Sequence, residues 1–266
     1  MKNNAQLWDD IYVALGPRRQ PAGVRFLYTP GQYEAAGVKE LTRAVSYCNM
    51  VRMAGLGKSF KGTQAHSACP GGSIGTGLME QNMYKRTGNS YSPDNLWLYD
   101  TIGTARQVLE DMLFMPADQY GLELRPLSGY LEHDPDVVIF VLNPFDAMRL
   151  IQGYSFHYGM KKDFRLSGNQ AFCSELTAVP YRTNGINLST LCSGTRHRCN
   201  WDSGELAVGV AYNKLPMLVD GLMATIAETE PKKRKLAITA RAEEKGLSLD
   251  VRHGREYFLR TTKRDW

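Results

Sequence analysis

Two largely apolar segments predict the first strands of the chain. The first run covers residues 23–28 and the second covers residues 136–142. An unbroken apolar and β-branched run such as the second is typical of a strand covered on both faces, as in an α/β sheet. Asn143 and Pro144 follow it and suit the N-cap and first turn of a helix, which we expect to continue to about residue 158.

Apolar residues spaced three and four positions apart predict further helices. This spacing occurs over residues 38–54 and again over residues 94–113, and it places one apolar stripe on each helix. Another helix is expected after Ser203, broken or restarted at Pro216 before residues 218–227. The order strand, helix, loop, helix therefore occurs twice, and we expect one compact domain of the α/β class.

The two halves share a pattern that predicts an internal duplication. The motif V-x-F-L-x-x-P begins at Val24, and the similar V-x-F-V-x-x-P begins at Val138. Each half then carries two cysteines, 21 residues apart in the first half and 19 apart in the second: Cys48 with Cys69, and Cys173 with Cys192. The distances from proline to first cysteine differ, so the alignment needs an insertion. Pseudo-twofold packing of the halves would bring these four cysteines to one interface.

The last part of the chain has a different pattern. A basic run begins at Lys232 and predicts a short helix or linker that stops at Gly246. Alternating apolar residues over 247–259, around His253 and Gly254, predict a β-hairpin. We therefore divide the chain into an α/β body, residues 1–230, and a basic C-terminal segment, residues 231–266.

Composition predicts a soluble globular protein and assigns its positive charge to the C-terminal segment. The 266 residues carry a net charge of +5 and a mean hydropathy of −0.36. Residues 231–266 hold 11 Lys and Arg against 5 Asp and Glu, and the rest of the chain is near neutral. No 18-residue apolar run predicts a membrane span. The first 20 residues lack a secretion-signal pattern, so we expect a cytoplasmic protein, with nucleic acid a remote partner.

Five cysteines are the main candidates for chemistry. They comprise the four named above and Cys199, and none forms a C-x-x-C pair. Disulfides are rare in a reducing compartment. One interpretation is that the thiols pack as small buried hydrophobes. The other is that they ligate a metal, because thiolates are the ligands of iron–sulfur clusters.

Two basic or glycine-rich stretches beside cysteines are candidates for anion binding. After Cys69, Gly71 and Gly72 open a run of small residues whose backbone amides could converge on an anion. This run matches neither G-x-G-x-x-G nor a Walker A motif, which favours a plain connector. After Cys192, Arg196 and its basic neighbours would lower the pKa of a nearby thiol or hold a carboxylate or phosphate.

Four segments of the chain resemble those of a known family. The segments are 39–52, 69–78, 135–138 and 187–196, in this order along the chain, and together they resemble the bacterial and archaeal family of domain of unknown function 169. The resemblance covers about residues 23–222. It implies that Cys48, Cys69, Cys173 and Cys192 recur in the family and that Cys199 and the basic C-terminal segment are additions of this chain. It adds weight to Arg196, but it implies no settled activity.

These observations lead to one main hypothesis and two alternatives. The main hypothesis is a cytoplasmic redox or metabolic protein with a [4Fe–4S] cluster on Cys48, Cys69, Cys173 and Cys192. In this hypothesis Gly71, Gly72 and Arg196 orient a small anionic metabolite near the cluster, and an electron-transfer partner completes the system. The first alternative is a cofactor-free small-molecule binding protein with structural cysteines. The second is a nucleic-acid-associated protein that uses the basic segment. Catalytic turnover, the identity of the substrate and the oligomeric state are left open.

Overall fold

The computed structural model describes residues 2–82, 86–92, 95–226, 230–247 and 249. Within these ranges, ten α-helices and one π-helix surround a six-stranded sheet. The strands are β1 Ala22–Leu27, β2 Phe60–Thr63, β3 Gly121–Pro126, β4 Val137–Leu142, β5 Ile186–Ser189 and β6 Leu206–Ala211. The helices are α1 Asn4–Leu15, α2 Pro30–Ala35, α3 Tyr47–Gly55, α4 Pro70–Gly75, α5 Ile102–Asp111, α6 Pro144–Tyr158, the π-helix Ala171–Ala178, α7 Val179–Thr183, α8 Ser193–Cys199, α9 Leu215–Ala224 and α10 Lys232–Glu244.

The sheet order agrees with the predicted internal duplication. The strands lie in the order β2-β3-β1-β4-β6-β5, and every pairing between neighbours is antiparallel. When β1, β2 and β3 are matched with β4, β5 and β6, the order reads the same from either edge. Each half therefore contributes three adjacent strands, and β1 meets β4 at the centre. The fold is a single compact domain of mixed α and β structure, as predicted, built on an antiparallel sheet.

The central strand β4 is buried on both faces, as its unbroken apolar run predicted. Val138, Phe140 and Leu142 point into one hydrophobic core, while Val137 and Ile139 point into the other. This alternation follows from the two-residue period of a strand. The sheet is thus the middle of three layers.

The first outer layer, which we name the glycine face, consists of α1, α6, α9 and α10. Helices α6 and α9 pack at very close range. A Cβ added to Gly221 would lie 2.2 Å from the carbonyl oxygen of Gly153, so only glycine fits at this crossing. Helix α10 belongs to the same core, since Ile238 and Ala242 are buried there. The predicted hairpin over 247–259 lies almost wholly outside the described residues, so the division of the chain at residue 230 stays a prediction.

The second outer layer, which we name the cysteine face, consists of α3, α4, the π-helix and α8. Gly209 of β6 allows the π-helix to contact the sheet directly, because a Cβ there would lie 2.2 Å from the Leu176 carbonyl oxygen. The π-helix was not predicted from the sequence. Such helices are rare and occur frequently at functional sites.

Two predicted helices are shorter in the structure, because capping side chains start them late. Helix α3 begins after Ser46, whose hydroxyl accepts the Asn49 amide. Glu40 and Val45 instead form isolated bridges beside β2. Helix α5 begins after Thr101, whose hydroxyl accepts the Thr104 amide at 3.0 Å. The predicted start of that helix at residue 94 lies outside the described residues.

The helix predicted after Ser203 is wrong, because those residues form strand β6. Leu206–Ala211 pairs with β4 on one side and β5 on the other, and these long-range pairings override the local pattern. Pro216 lies in the first turn of α9, where its missing amide donor costs nothing. Within the described part of the chain, no helix has the length and apolar character needed to cross a bilayer.

Candidate cysteine site

The cysteines occupy equivalent positions in the two halves. Cys48 lies in the first turn of α3, twelve positions before β2, and Cys173 lies in the first turn of the π-helix, thirteen positions before β5. Cys69 follows β2 as the N-cap of α4, and Cys192 follows β5 as the N-cap of α8. The fifth, Cys199, ends α8. Each half thus presents one thiol from a helix before its short strand and one from a helix after it.

All five cysteines lie in, or at the starts of, the helices of the cysteine face. Cys48 interacts with Cys199 and, electrostatically, with Cys69. Cys192 interacts with both Cys48 and Cys199. Cys173 joins the group through its interaction with the Tyr47 hydroxyl, which also interacts with Cys48. Cys48 and Cys173 therefore share one core, as the predicted pseudo-twofold packing requires.

Burial differs among the thiols, and burial and contacts between thiols together set their protonation. Cys173 and Cys199 are buried, while Cys48, Cys69 and Cys192 are half-buried. The interaction with Cys199, together with burial, raises the pKa of the Cys48 thiol. Burial also raises the pKa of Cys192. The interaction with Cys48 lowers the pKa of Cys199. Cys48 and Cys192 are therefore neutral thiols at pH 7. As pH rises, Cys199 loses its proton before Cys48 does.

Arginine side chains surround this group of thiols. The exposed Arg198 guanidinium hydrogen-bonds Cys69, which raises the pKa of the arginine, and it also interacts with Cys48 and Cys192. Arg52 of α3 interacts with Cys199. These cations stabilise negative charge that develops on the sulfurs. The sequence analysis placed Arg198 among the basic neighbours of Cys192 and left Cys199 outside the ligand set. It did not predict the contacts of Arg198 with Cys69 and Cys48, which lie more than a hundred residues away in the chain.

The residues predicted to form a glycine-rich anion loop lie in helix α4 instead. Gly71 and Gly72 occupy the first turn of α4. A Cβ on Gly72 would lie 3.0 Å from the Cβ of Tyr47, and one on Gly75 would lie 2.6 Å from the Cβ of Cys173. The glycines of α4 therefore allow close packing against α3 and the π-helix. Anion binding by Gly71 and Gly72 stays a prediction.

Arg196 is held by backbone carbonyl groups. Its Nη1 donates to the Asp202 carbonyl at 2.8 Å, and its Nη2 donates to the carbonyls of Thr190 and Glu205, each at 2.8 Å. These bonds fasten the two segments that flank α8. The predicted role of Arg196 in orienting an anion stays a prediction, and the structure gives it a positioning role for α8.

A buried carboxylate lies next to the thiols and was missed in the sequence. Glu175 of the π-helix accepts the Ser167 amide at 2.7 Å and the Gly168 amide at 3.1 Å. Its other oxygen accepts the Ser189 hydroxyl at 2.5 Å, and Glu175 also interacts electrostatically with Cys192. Glu175 lines a cleft of about 610 Å³, into which Lys162 and Arg165 also project. A π-helix and a buried carboxylate leave no periodic signal in the sequence.

The donor set suits a soft metal, although the thiols are not arranged as a finished ligand set. Among the described residues, no group of three or more His, Cys, Asp or Glu side chains is placed to hold a metal ion. The Cys173 thiol donates to the Gln170 side-chain oxygen at 3.5 Å, and the Cys199 thiol donates to Asn49 Oδ1 at 3.5 Å. Ligation by Cys173 would require its hydrogen bond to break. The sulfur chemistry nevertheless fits an iron–sulfur cluster.

Comparisons with known proteins place these cysteines within a shared region. The model of the domain of unknown function 169 family, described as uncharacterised ArCR, matches residues 10–221. An uncharacterised protein of Methanocaldococcus jannaschii is 23% identical over 195 residues, which cover 70% of this chain and 79% of that protein. No solved structure matches. The family match includes all five cysteines and ends before α10.

Proposed function

The chain belongs to the family of domain of unknown function 169, and from this premise we propose that it is a cytoplasmic redox protein with a [4Fe–4S] cluster. Cys48, Cys69, Cys173 and Cys192 are its ligands. When bound, such a cluster supplies one-electron transfer. Cys199 is the thiol that supports Cys48 without ligating iron.

The placement of cysteines from both halves on one face of the sheet is the observation that supports this proposal. Two pairs of cysteines, each far from the other in sequence, reach one side of one core through equivalent helices. Four thiolates are the usual ligand set of a [4Fe–4S] cluster.

The charges around the thiols favour an anionic centre. A cluster with four thiolates carries net negative charge, and Arg198 interacts with three of the proposed ligands. Cys192 is the N-cap of α8, and its sulfur accepts the Thr195 amide at 3.4 Å, which favours negative charge on that sulfur. Since the pKa of Cys48 and of Cys192 is raised, metal binding must displace their protons, and cluster assembly becomes more favourable as pH rises.

A small anionic metabolite is proposed to bind in the cleft beside the π-helix. The cleft of about 610 Å³ is large enough for a small molecule. Lys162 and Arg165 are the cations that would pair with the anion, in a lining that also contains Asp111, Asp163 and Glu175. Glu175 interacts electrostatically with Cys192. An electron-transfer partner would approach the half-buried thiols, which lie nearest the surface.

The test is iron and sulfide analysis of protein purified without oxygen, together with its visible absorption spectrum. We expect about four irons and about four sulfides per chain and a broad brown absorption band. Cys192→Ser should lose most of the iron, whereas the matched variant Cys199→Ser should keep it. A colourless, iron-free wild-type protein would overturn the proposal. Equal iron loss in both variants would overturn the assignment of the ligands.

A second candidate is a cofactor-free small-molecule binding protein with structural cysteines. The observation that favours it is that Cys173 and Cys199 are buried and hydrogen-bonded to protein oxygens. In that case the anaerobic protein contains no iron, and Cys192→Ser changes thermal stability without changing colour. Metabolite binding in the cleft would then not depend on the thiols. Calorimetric titration should therefore give the same affinity for the wild type and for Cys192→Ser.

A further inference from the structure

The segment between α6 and the π-helix forms one wall of the cleft that contains the proposed metabolite site. We name residues 159–168 the strap, because they run from the end of α6 toward the π-helix without forming a helix or a strand. Residues 162–167 of the strap line the cleft, whose volume is about 610 Å³. The hydrogen bonds of the strap divide it into an anchored end and a free end.

The anchored end is fastened by two buried side chains. Asn187 of β5 is 0% exposed. Its Oδ1 accepts the Arg165 amide at 2.9 Å, and its Nδ2 donates to the Arg165 carbonyl at 2.8 Å. Glu175, which is 3% exposed, accepts the amides of Ser167 and Gly168. Both polar backbone atoms of Arg165 are therefore held, as a neighbouring strand would hold them.

The free end consists of residues 160–164. Among the described residues, none makes a hydrogen bond or an ion pair with this segment. Met160 is 76% exposed. The segment begins after Gly159, whose φ of +71° and ψ of −171° form a combination that essentially only glycine adopts. Because the space around Gly159 is open, this residue is suited to act as a hinge.

Arg165 is fixed at its side chain as well as at its backbone. Its Nη1 donates to the carbonyl of Asp111, the last residue of α5, at 2.7 Å. Lys162, by contrast, belongs to the free end and is exposed. The cleft therefore has one cation that is held in place and one that moves with the free end.

We propose that residues 160–164 are a lid that closes over the cleft when an anion binds there, with hinges at Gly159 and at the anchored Arg165. This inference rests on the metabolite site of the proposed function and does not depend on iron. Closure brings the Lys162 ammonium to an anion that Arg165 already contacts. It also covers the Phe164 ring, which is 37% exposed, and excludes water from the bound ligand.

The experiment is hydrogen–deuterium exchange of the full chain, measured on overlapping peptides with and without 8-anilinonaphthalene-1-sulfonate. This probe is an anion with apolar rings, so it matches the cations and the apolar side chains of the cleft. Without the probe, residues 160–164 should exchange roughly 100-fold faster than residues 165–168. With the probe, exchange of residues 160–164 should slow by about tenfold or more.

Three results would contradict the proposal, and they differ in what else they contradict. Equal exchange of residues 160–164 and 165–168 without the probe would overturn the division of the strap. Protection of the opposite wall, residues 108–113, without protection of residues 160–164 would overturn the lid alone. Protection of neither segment would overturn the metabolite site and the lid together, while iron content would still test the cluster separately.

Trypsin digestion of the folded chain tests the anchored end. The wild type should be cut first after Lys161, in the free end, and only later after Arg165. Asn187→Ala removes both bonds to the Arg165 backbone, so cutting after Arg165 should become roughly tenfold faster. An unchanged rate of cutting after Arg165, in a variant that circular dichroism shows to be folded, would overturn the anchor.

A matched pair of neighbouring lysines tests the lid even if Asn187→Ala fails to fold. Lys162→Ala removes the moving cation, so it should weaken binding of the probe about tenfold and reduce the protection of residues 160–164. Lys161→Ala is the control, because Lys161 is not among the residues that line the cleft, and it should keep both. Equal effects of the two substitutions would overturn the role of Lys162.

Discussion

The two faces of the sheet bury polar groups in different ways. On the glycine face, Arg149 is 0% exposed and donates to Glu230 at 2.8 Å. Arg234 joins Glu230 to Asp146, so charges of opposite sign neutralise one another inside the protein. On the cysteine face, neutral thiols lie near the exposed cation Arg198. The first arrangement is complete without a ligand, and the second gains from an added negative centre.

This difference separates groups that stabilise the fold from groups that are available for chemistry. A closed network of buried ions contributes to the fold and resists removal of any member. Half-buried thiols at the starts of helices are accessible, and proton loss changes their charge. We therefore expect substitutions on the glycine face to change stability, and substitutions on the cysteine face to change iron content.

The largest effect is expected from Arg149→Met on the glycine face. The change removes the fully buried partner of Glu230 and leaves that carboxylate with Arg234 alone, so the free energy of unfolding should fall by about 3–5 kcal/mol. Urea unfolding followed by circular dichroism measures this loss. Iron per folded chain should stay unchanged. Arg106→Ala, which removes an exposed pair with Glu110, is the control and should cost at most about 1 kcal/mol.

Two glycine substitutions of similar steric severity distinguish the faces. Gly221→Ala places a Cβ 2.2 Å from the Gly153 oxygen, and Gly75→Ala places one 2.6 Å from the Cβ of Cys173. Each should destabilise the protein by about 1–3 kcal/mol. Iron content should fall only in Gly75→Ala, because it displaces a proposed ligand. Gly194→Ala adds its Cβ to open space and should change neither quantity. Iron loss in Gly221→Ala would contradict the separation of the faces.

The smallest effect is a difference in pH dependence of the iron-free protein. Burial raises the pKa of Cys192, so its contribution to stability is present below the unfolded thiol pKa of about 8.5 and is lost as pH rises above it. On the glycine face, burial raises the pKa of Tyr154. Its contribution to stability is lost only above the unfolded tyrosine pKa of about 10. Between about pH 8.5 and 10, Cys192→Ser should therefore lose stability less steeply than wild type, while Tyr154→Phe should match it. Equal slopes for wild type and Cys192→Ser, measured by urea unfolding under reducing conditions, would refute this assignment.

The sequence predicts the elements whose signals are local. The strand at 136–142 and the helix after Asn143 are confirmed as β4 and α6, since an apolar run and an N-cap act over a few residues. Strand β6 was misassigned, because its identity comes from pairing with β4 and β5. Cys173 was predicted as a site residue, but the π-helix that presents it has no such local signal.

The candidate site was predicted in part, through the internal duplication. Matching the two halves predicted that four cysteines meet at one interface. The sheet order agrees with the duplication, but within the described residues no three such side chains are placed to hold a metal ion, so the ligand set stays a prediction. The roles of Arg198, Cys199 and Glu175 depend on contacts between distant segments, which sequence spacing does not encode. For Arg196 the sequence suggested anion binding, because it lies near Cys192. In the structure its guanidinium donates to backbone carbonyl groups instead.

The location of iron in crystals grown from anaerobically purified protein tests the central proposal most directly. An anomalous difference map at the iron absorption edge should show one peak on the cysteine face, surrounded by the sulfurs of Cys48, Cys69, Cys173 and Cys192, with Cys199 outside the ligand set. A map without an iron peak, or with iron bound away from these four sulfurs, would contradict the proposal.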